Sequence, residues 1–286
     1  TSSNAALGGD SLNTGTIRKP GGFNADSSAG TTDGAGLVLA VPGDTLNDVH
    51  ASINTGSSNV TLTAHDGAAA GNTTQSRFYG SSMYFDGSSR IELPGSSDYE
   101  FGTGDFTVEF WLYYPTSQNS SNAKRRFLQW GGHQESGSWA ILDFDSGGDI
   151  RVDIDGTSNA FSGATYNVGF AKDTWQHHVF QRASGTIQYW INGVKKATAS
   201  NTADLDTPAT NSFKIGATGT STVNTLTGYD LTGWIQDLRV YKGTAKYTAN
   251  FNPPTRNDFT VKNLTHTDSE GMHGKAVATA TGAKPV

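Results

Sequence analysis

A chain of 286 residues with 35 glycines, 16% charged residues and a net charge of −6 has the composition of many strands and many turns, without helix-forming periodicity. The negative balance excludes a general nucleic-acid binder, and the single basic cluster, Lys124-Arg125-Arg126, reads as a solvated loop end. Lack of cysteine excludes a disulfide framework, no run approaches the ~20 apolar residues of a membrane span, and the opening TSSNAALGGD shows no secretory leader.

Residues 1–35 are rich in Gly, Ser, Thr and Asn, with isolated Leu7, Leu12, Ile17 and Phe23, so they cannot build a core of their own. Leu37 to Val41 is a first strand ended by Pro42-Gly43, and Val60 to Thr63 a second. Asp66 to Thr74 reads as a loop. Met83–Phe85 and Arg90–Leu93 form a hairpin around Asp86-Gly87.

The organising stretch follows. Phe106, Val108, Phe110 and Leu112 alternate with Thr107, Glu109, Trp111 and Tyr113, which sets one apolar face on a long strand. The other face carries a carboxylate, a Trp and a Tyr and is expected to be partly buried. Further strands are read at Phe127–Trp130, Trp139–Phe144, Ile150–Ile154, Trp175–Arg182, Ile187–Ile191, Phe213–Gly216 and Leu231–Tyr241. Asn192-Gly193 is the strongest hairpin signal in the chain. Residues 256–286 form a second coreless tail. The fold class is therefore all-β: a two-sheet antiparallel jelly-roll sandwich with extended N- and C-terminal arms, divided as 1–35, 36–255 and 256–286. The adjacent His177 and His178 point to opposite faces of their strand and are read as structural.

Four blocks carry a resemblance. They are FDG-x-x-x-I-x-L-P from Phe85, FGTGDFTVEFW from Phe101, the WQHHV…IQYWING hairpin of Trp175 to Gly193, and GWIQDLRVYKG from Gly233. In this order they resemble laminin-G-like, concanavalin-A-like jelly-roll domains. The run Ala245 to Pro254 is similar to the ending of such domains in tailed-phage virion proteins.

The resemblance implies a non-enzymatic virion structural protein. Its surface domain would be a head decoration or cement, anchored by arms through Leu7, Leu12, Ile17 and Phe23 to the major capsid protein or neighbouring copies. That places a homo-oligomer on the virion surface, made in the host cytoplasm, with no nucleic-acid or membrane partner. The alternative is a carbohydrate-binding module for host surface polysaccharide, for which Trp130, Trp139 and Tyr166, at strand ends or beside loops, are the stacking candidates. Trp111, Trp175 and Trp234 sit at family-typical positions and are expected to be packed.

The family also implies one structural calcium ion, held by Asp44, Asp48 and Asp237, with Gln236 standing where a second acid is frequent. A glycosidase would need two carboxyls about 5–5.5 Å or 6.5–9.5 Å apart. The nearest approaches, Asp143/Asp145 and Asp153/Asp155, lack the third acid of the hydrolase strand motif and are expected to be structural.

Overall fold

The computed structural model describes residues 36–48, 59–78, 80–118, 125–132, 135–144, 149–158, 160–161, 170–206, 212–217 and 230–254. The arms at 1–35 and 256–286, with Leu7, Leu12, Ile17 and Phe23, lie outside them.

In chain order the strands are β1 (Leu37–Val41), β2 (Thr63–His65), β3 (Ala69–Asn72), β4 (Ser82–Asp86), β5 (Arg90–Pro94), β6 (Phe106–Tyr113) and β7 (Arg125–Trp130). They continue with β8 (Trp139–Phe144), β9 (Asp149–Ile154), β10 (Trp175–Ala183), β11 (Thr186–Ile191), β12 (Val194–Ser200), β13 (Ser212–Ile215) and β14 (Thr232–Lys242). All their pairings are antiparallel, and they form two sheets. The larger runs β12-β11-β10-β6-β14-β4-β3, with β1 beside the second half of β14. The smaller runs β2-β5-β13-β7-β8-β9.

This is the sandwich that the alternation demands. Phe106, Val108, Phe110 and Leu112 of β6 face inward and join Phe180, Ile235 and Val240 of the large sheet. Ile91, Trp130, Ile141, Val152 and Phe213 of the small sheet meet them. Two inner faces that exclude water over this many large side chains supply the main stabilising term.

Two strands depart from the sequence expectation. Ala69–Asn72, read as a loop, is an edge strand on β4. Its Ala-Ala-Gly-Asn has no strand preference of its own, so pairing alone defines it. The expected strand at Val60–Thr63 is an isolated bridge from Asn47 to Thr61, with β2 starting at Thr63. At the β11–β12 turn, Asn192 and Gly193 both adopt positive φ (49° and 76°), as the Asn-Gly signal requires.

The outer face of β6 is the larger surprise. Seven of its eight residues are buried, including Thr107, Glu109 and Trp111. The chain that follows β14 folds back as a strap over this face. Tyr247 and Phe251 stack at 3.5 Å and close over Val179 and Trp190, while Phe78 packs edge-on against Trp111 at 5.5 Å. The expectation of partial burial fails because the covering residues come from distant parts of the chain.

Candidate functional site

The register of the large sheet sorts its outer face into rows running across the strands. In one, Glu109 sits beside Val179 and Arg239, with Trp190 beyond. Oε1 of Glu109 accepts from Lys246 Nζ at 2.6 Å and from the Tyr241 hydroxyl at 3.3 Å. Oε2 accepts from the Tyr247 hydroxyl at 2.5 Å and lies 3.5 Å from His177 Nε2. Asp237 takes a two-pronged contact from Arg239, at 3.2 and 2.5 Å. Two acids thus face two bases in a dry layer between strap and sheet.

Burial alone would push the Glu109 carboxyl up, but Lys246, His177 and Arg239 beside it outweigh that and hold it well below the usual range. Asp237 keeps the upward push of burial, to about 6, despite Arg239. His177 is lowered by its burial. His178, on the inner face with Nδ1 2.9 Å from the Tyr189 hydroxyl, is lowered to about 3, so both rings are neutral at pH 7. Sealed on every side, this cluster locks the strap and offers no entry to a ligand.

One row lies beyond the strap. Tyr84 of β4 pairs with Trp234 of β14, Trp234 with Tyr113 of β6, and Tyr113 with Trp175 of β10. The four aromatics therefore stand side by side across four adjacent strands, spanning about 14 Å at the usual inter-strand spacing. Ring centroids are 5.0 Å apart for Tyr84–Trp234, 5.5 Å for Tyr113–Trp234 and 5.8 Å for Tyr113–Trp175. The first contact is tilted (38°) and the other two are edge-on (85° and 61°), so each ring braces the next. All four are half-buried. Polar groups rim the row. Trp234 Nε1 donates to Asn72 Oδ1 at 3.0 Å, and beside Trp175 the Asp173 carboxylate accepts from the Thr116 amide at 3.0 Å.

Two of the three expected stacking residues are buried instead. Trp130 and Trp139 are 0% and 1% exposed, so neither can present a ring to a ligand. Trp130 packs on Tyr99 and donates to the Asp206 carbonyl; Trp139 packs on Phe213 and Phe101. Standing at a strand end did not make them shallow, since both side chains point between the sheets. Tyr166 lies outside the described residues. Of the three tryptophans expected to be packed, Trp111 is buried, whereas Trp175 and Trp234 are in the open row. The signal that could have found them is the in-register placement of four aromatics on alternating positions.

The expected calcium ligands do not fit the ion. Asp48 accepts from the Ala40 amide at 2.9 Å and the Val60 amide at 3.4 Å, pinning the loop after β1. Asp237 is committed to Arg239, and Asp44 does not join them. Among the described residues no three His, Cys, Asp or Glu side chains converge as metal ligands.

Three of the four acids weighed for hydrolysis have structural partners. Asp143 points into the sandwich, where the Tyr114 hydroxyl donates to it at 3.0 Å and burial raises it to about 6. Its neighbour Asp145 lies outside the described residues. Asp153 is bound by Arg151 at 2.5 and 3.1 Å, while Asp155 caps the turn at Ser136 and Gly137.

Residues 85–247 match a family described as the concanavalin A-like lectin/glucanases superfamily. The chain belongs to that family. Of the four candidate acids, Asp143, Asp153 and Asp155 are engaged in structural contacts.

Among solved structures it is similar to the binding domain of botulinum neurotoxin serotype D, at 15% identity and a TM-score of 0.53, covering 76% of this chain and 49% of that one. It is also similar to the botulinum neurotoxin type C structure whose report ties cell entry to two ganglioside molecules, at 10% identity and 0.51, over 74% and 49%. Domain 4 of the arabinanase AbnA from Geobacillus stearothermophilus, in complex with arabinotriose, follows at 19% identity and 0.48, over 73% and 93%. The chain spans about half the length of the toxin chains it matches, and at these identities the likeness is one of fold. No curated protein sequence matches the chain.

Proposed function

We propose that this chain is a carbohydrate-binding module and that Tyr84, Trp234, Tyr113 and Trp175 form its platform. The observation that carries the reading is that this row reaches solvent while the rows of Trp111 and Glu109 on the same face are roofed. A half-buried aromatic row offers rigid apolar faces to the C–H surfaces of sugar rings. Its ordering entropy is already met, because each ring is braced by the next. Membership of a family that includes lectins supports the same class.

The test is glycan-array binding by the purified chain, followed by titration of the best ligand against Trp234→Ala and Tyr113→Ala. Each variant is expected to bind at least about tenfold more weakly, as for the loss of a central aromatic contact. A blank array, or affinity unchanged by both substitutions, would remove the reading.

Attachment to a phage particle as a decoration or cement rests on the similarity of Ala245 to Pro254 to virion proteins. That run also has a local role, because Lys246, Tyr247 and Phe251 are the strap residues that seal the large sheet. On this reading the module would be displayed at the virion surface as a homo-oligomer, with residues 1–35 as its anchor. Deleting residues 1–34 is expected to abolish particle attachment while the sandwich still folds; retained attachment would contradict it.

A further inference from the structure

Beside the open row stands a cation that belongs to no ion pair among the described residues. The Arg77 guanidinium lies over the Trp111 ring at 4.6 Å and the Phe78 ring at 5.3 Å, and among the described residues no carboxylate meets it. The Arg77 backbone amide donates to Gln236 Oε1 at 2.8 Å, which fixes the base of the residue. Trp111 and Gln236 occupy the row next to Tyr113 and Trp234, two residues along the same strands and on the same face. That offset is about 7 Å. A stacked guanidinium keeps its planar donor edge free and in a set direction, which suits a carboxylate or a sulfate ester. The exposed acids near the row, Asp173 beside Trp175 and Asp86 beside Thr232, lie away from it on other parts of the rim.

Resting on the carbohydrate-binding reading, we infer that the ligand is an acidic glycan: its rings lie on Trp234 and Tyr113, and an anionic substituent is held by Arg77. The net charge of −6 disfavours nonspecific retention of polyanions, so binding of one reports on a local site.

The experiment measures affinity of the full chain, in low-salt buffer, for polygalacturonate, for the sulfated galactan κ-carrageenan and for the neutral glucan laminarin. At least one acidic polymer is expected to bind about tenfold or more tightly than laminarin. Arg77→Gln is expected to remove most of that preference, as loss of one charge-assisted contact should. Arg77→Lys, which keeps the charge without the planar fork, should fall between. Arg77-dependent binding of polygalacturonate alone identifies a carboxylate, of carrageenan alone a sulfate, and either supports the inference. Trp234→Ala should weaken every polymer that binds.

Laminarin bound as tightly as the acidic polymers, or a preference that survives Arg77→Gln, overturns the role of Arg77 and leaves the platform standing. Binding of none of the three overturns the acidic ligand, and it removes the platform as well if the glycan array is also blank.

Discussion

Lys246 and Glu109 are 137 residues apart in the chain, yet Nζ and Oε1 meet at 2.6 Å with the two side chains only 5% and 2% exposed. The contact joins the centre of the large sheet to the strap that roofs it. Buried pairs gain little over an apolar pair but are costly to break, because the surviving charge stays dry. Lys246→Met removes one base from a cluster of two acids and two bases. It should lower unfolding free energy by about 3 kcal/mol in urea titrations. The double variant Lys246→Met/Glu109→Gln should recover part of that loss, and a double variant worse than the sum of the singles would contradict the assignment.

Glu109 and Asp143 should drive stability in opposite directions with pH. Glu109 is held below its unfolded value, so its contribution is complete above about pH 4.5 and fades as pH falls through the lower folded value. Asp143 is raised to about 6 from 3.8. The folded state therefore holds that proton more tightly, and stability falls as pH rises from about 4 to 6. Asp143→Asn keeps an acceptor for the Tyr114 hydroxyl and carries no charge. Denaturant unfolding should show it more stable than the parent at pH 7, by about 1–3 kcal/mol, with the gap closing at pH 4. A variant less stable than the parent at pH 7 would show that the charge is compensated.

How much of this was legible follows from how local each signal is. The inward face of β6, from Phe106 to Leu112, needed only its period of two, and the β11–β12 hairpin needed only Asn192-Gly193. The roof over Glu109 has no local signature, since Lys246 and Phe251 reveal their role only once β6 and β14 are paired. The tryptophans show the same limit. Alternation tells which face of a strand Trp130 or Trp234 takes, but depth depends on what the rest of the chain lays over that face. Asp48 and Asp237 were acids at family-typical positions, and only their partners, backbone amides and Arg239, distinguish structural carboxylates from metal ligands.

Asp48 yields a direct check on the metal. A chelator such as EDTA should leave the melting temperature unchanged, since the Asp48 oxygens already accept two amides and Asp237 is held by Arg239. Asp48→Ala should cost about 1–3 kcal/mol by stranding the Ala40 and Val60 amides, measured by denaturant unfolding with and without calcium. A rise in melting temperature on adding calcium to the parent, lost in Asp48→Ala, would reverse this account.

The strap is also anchored at the β11–β12 turn, where the Phe251 amide donates to the Gly193 carbonyl at 2.9 Å. Gly193 has φ +76°, and a Cβ there would sit 1.7 Å from the Phe251 carbonyl oxygen, a backbone atom that cannot swing aside. Gly243 has a similar φ of +72° but open space around the Cβ position, so it isolates the conformational cost. Gly243→Ala should cost about 1–2 kcal/mol, the usual penalty for the left-handed region. Gly193→Ala carries the same penalty and must in addition push Phe251 off Trp190. It should lose several-fold more stability on denaturant unfolding, and faster hydrogen exchange at the buried Tyr247 amide should report the lifted strap. Equal losses in the two variants would mean that the strap does not bear on the turn.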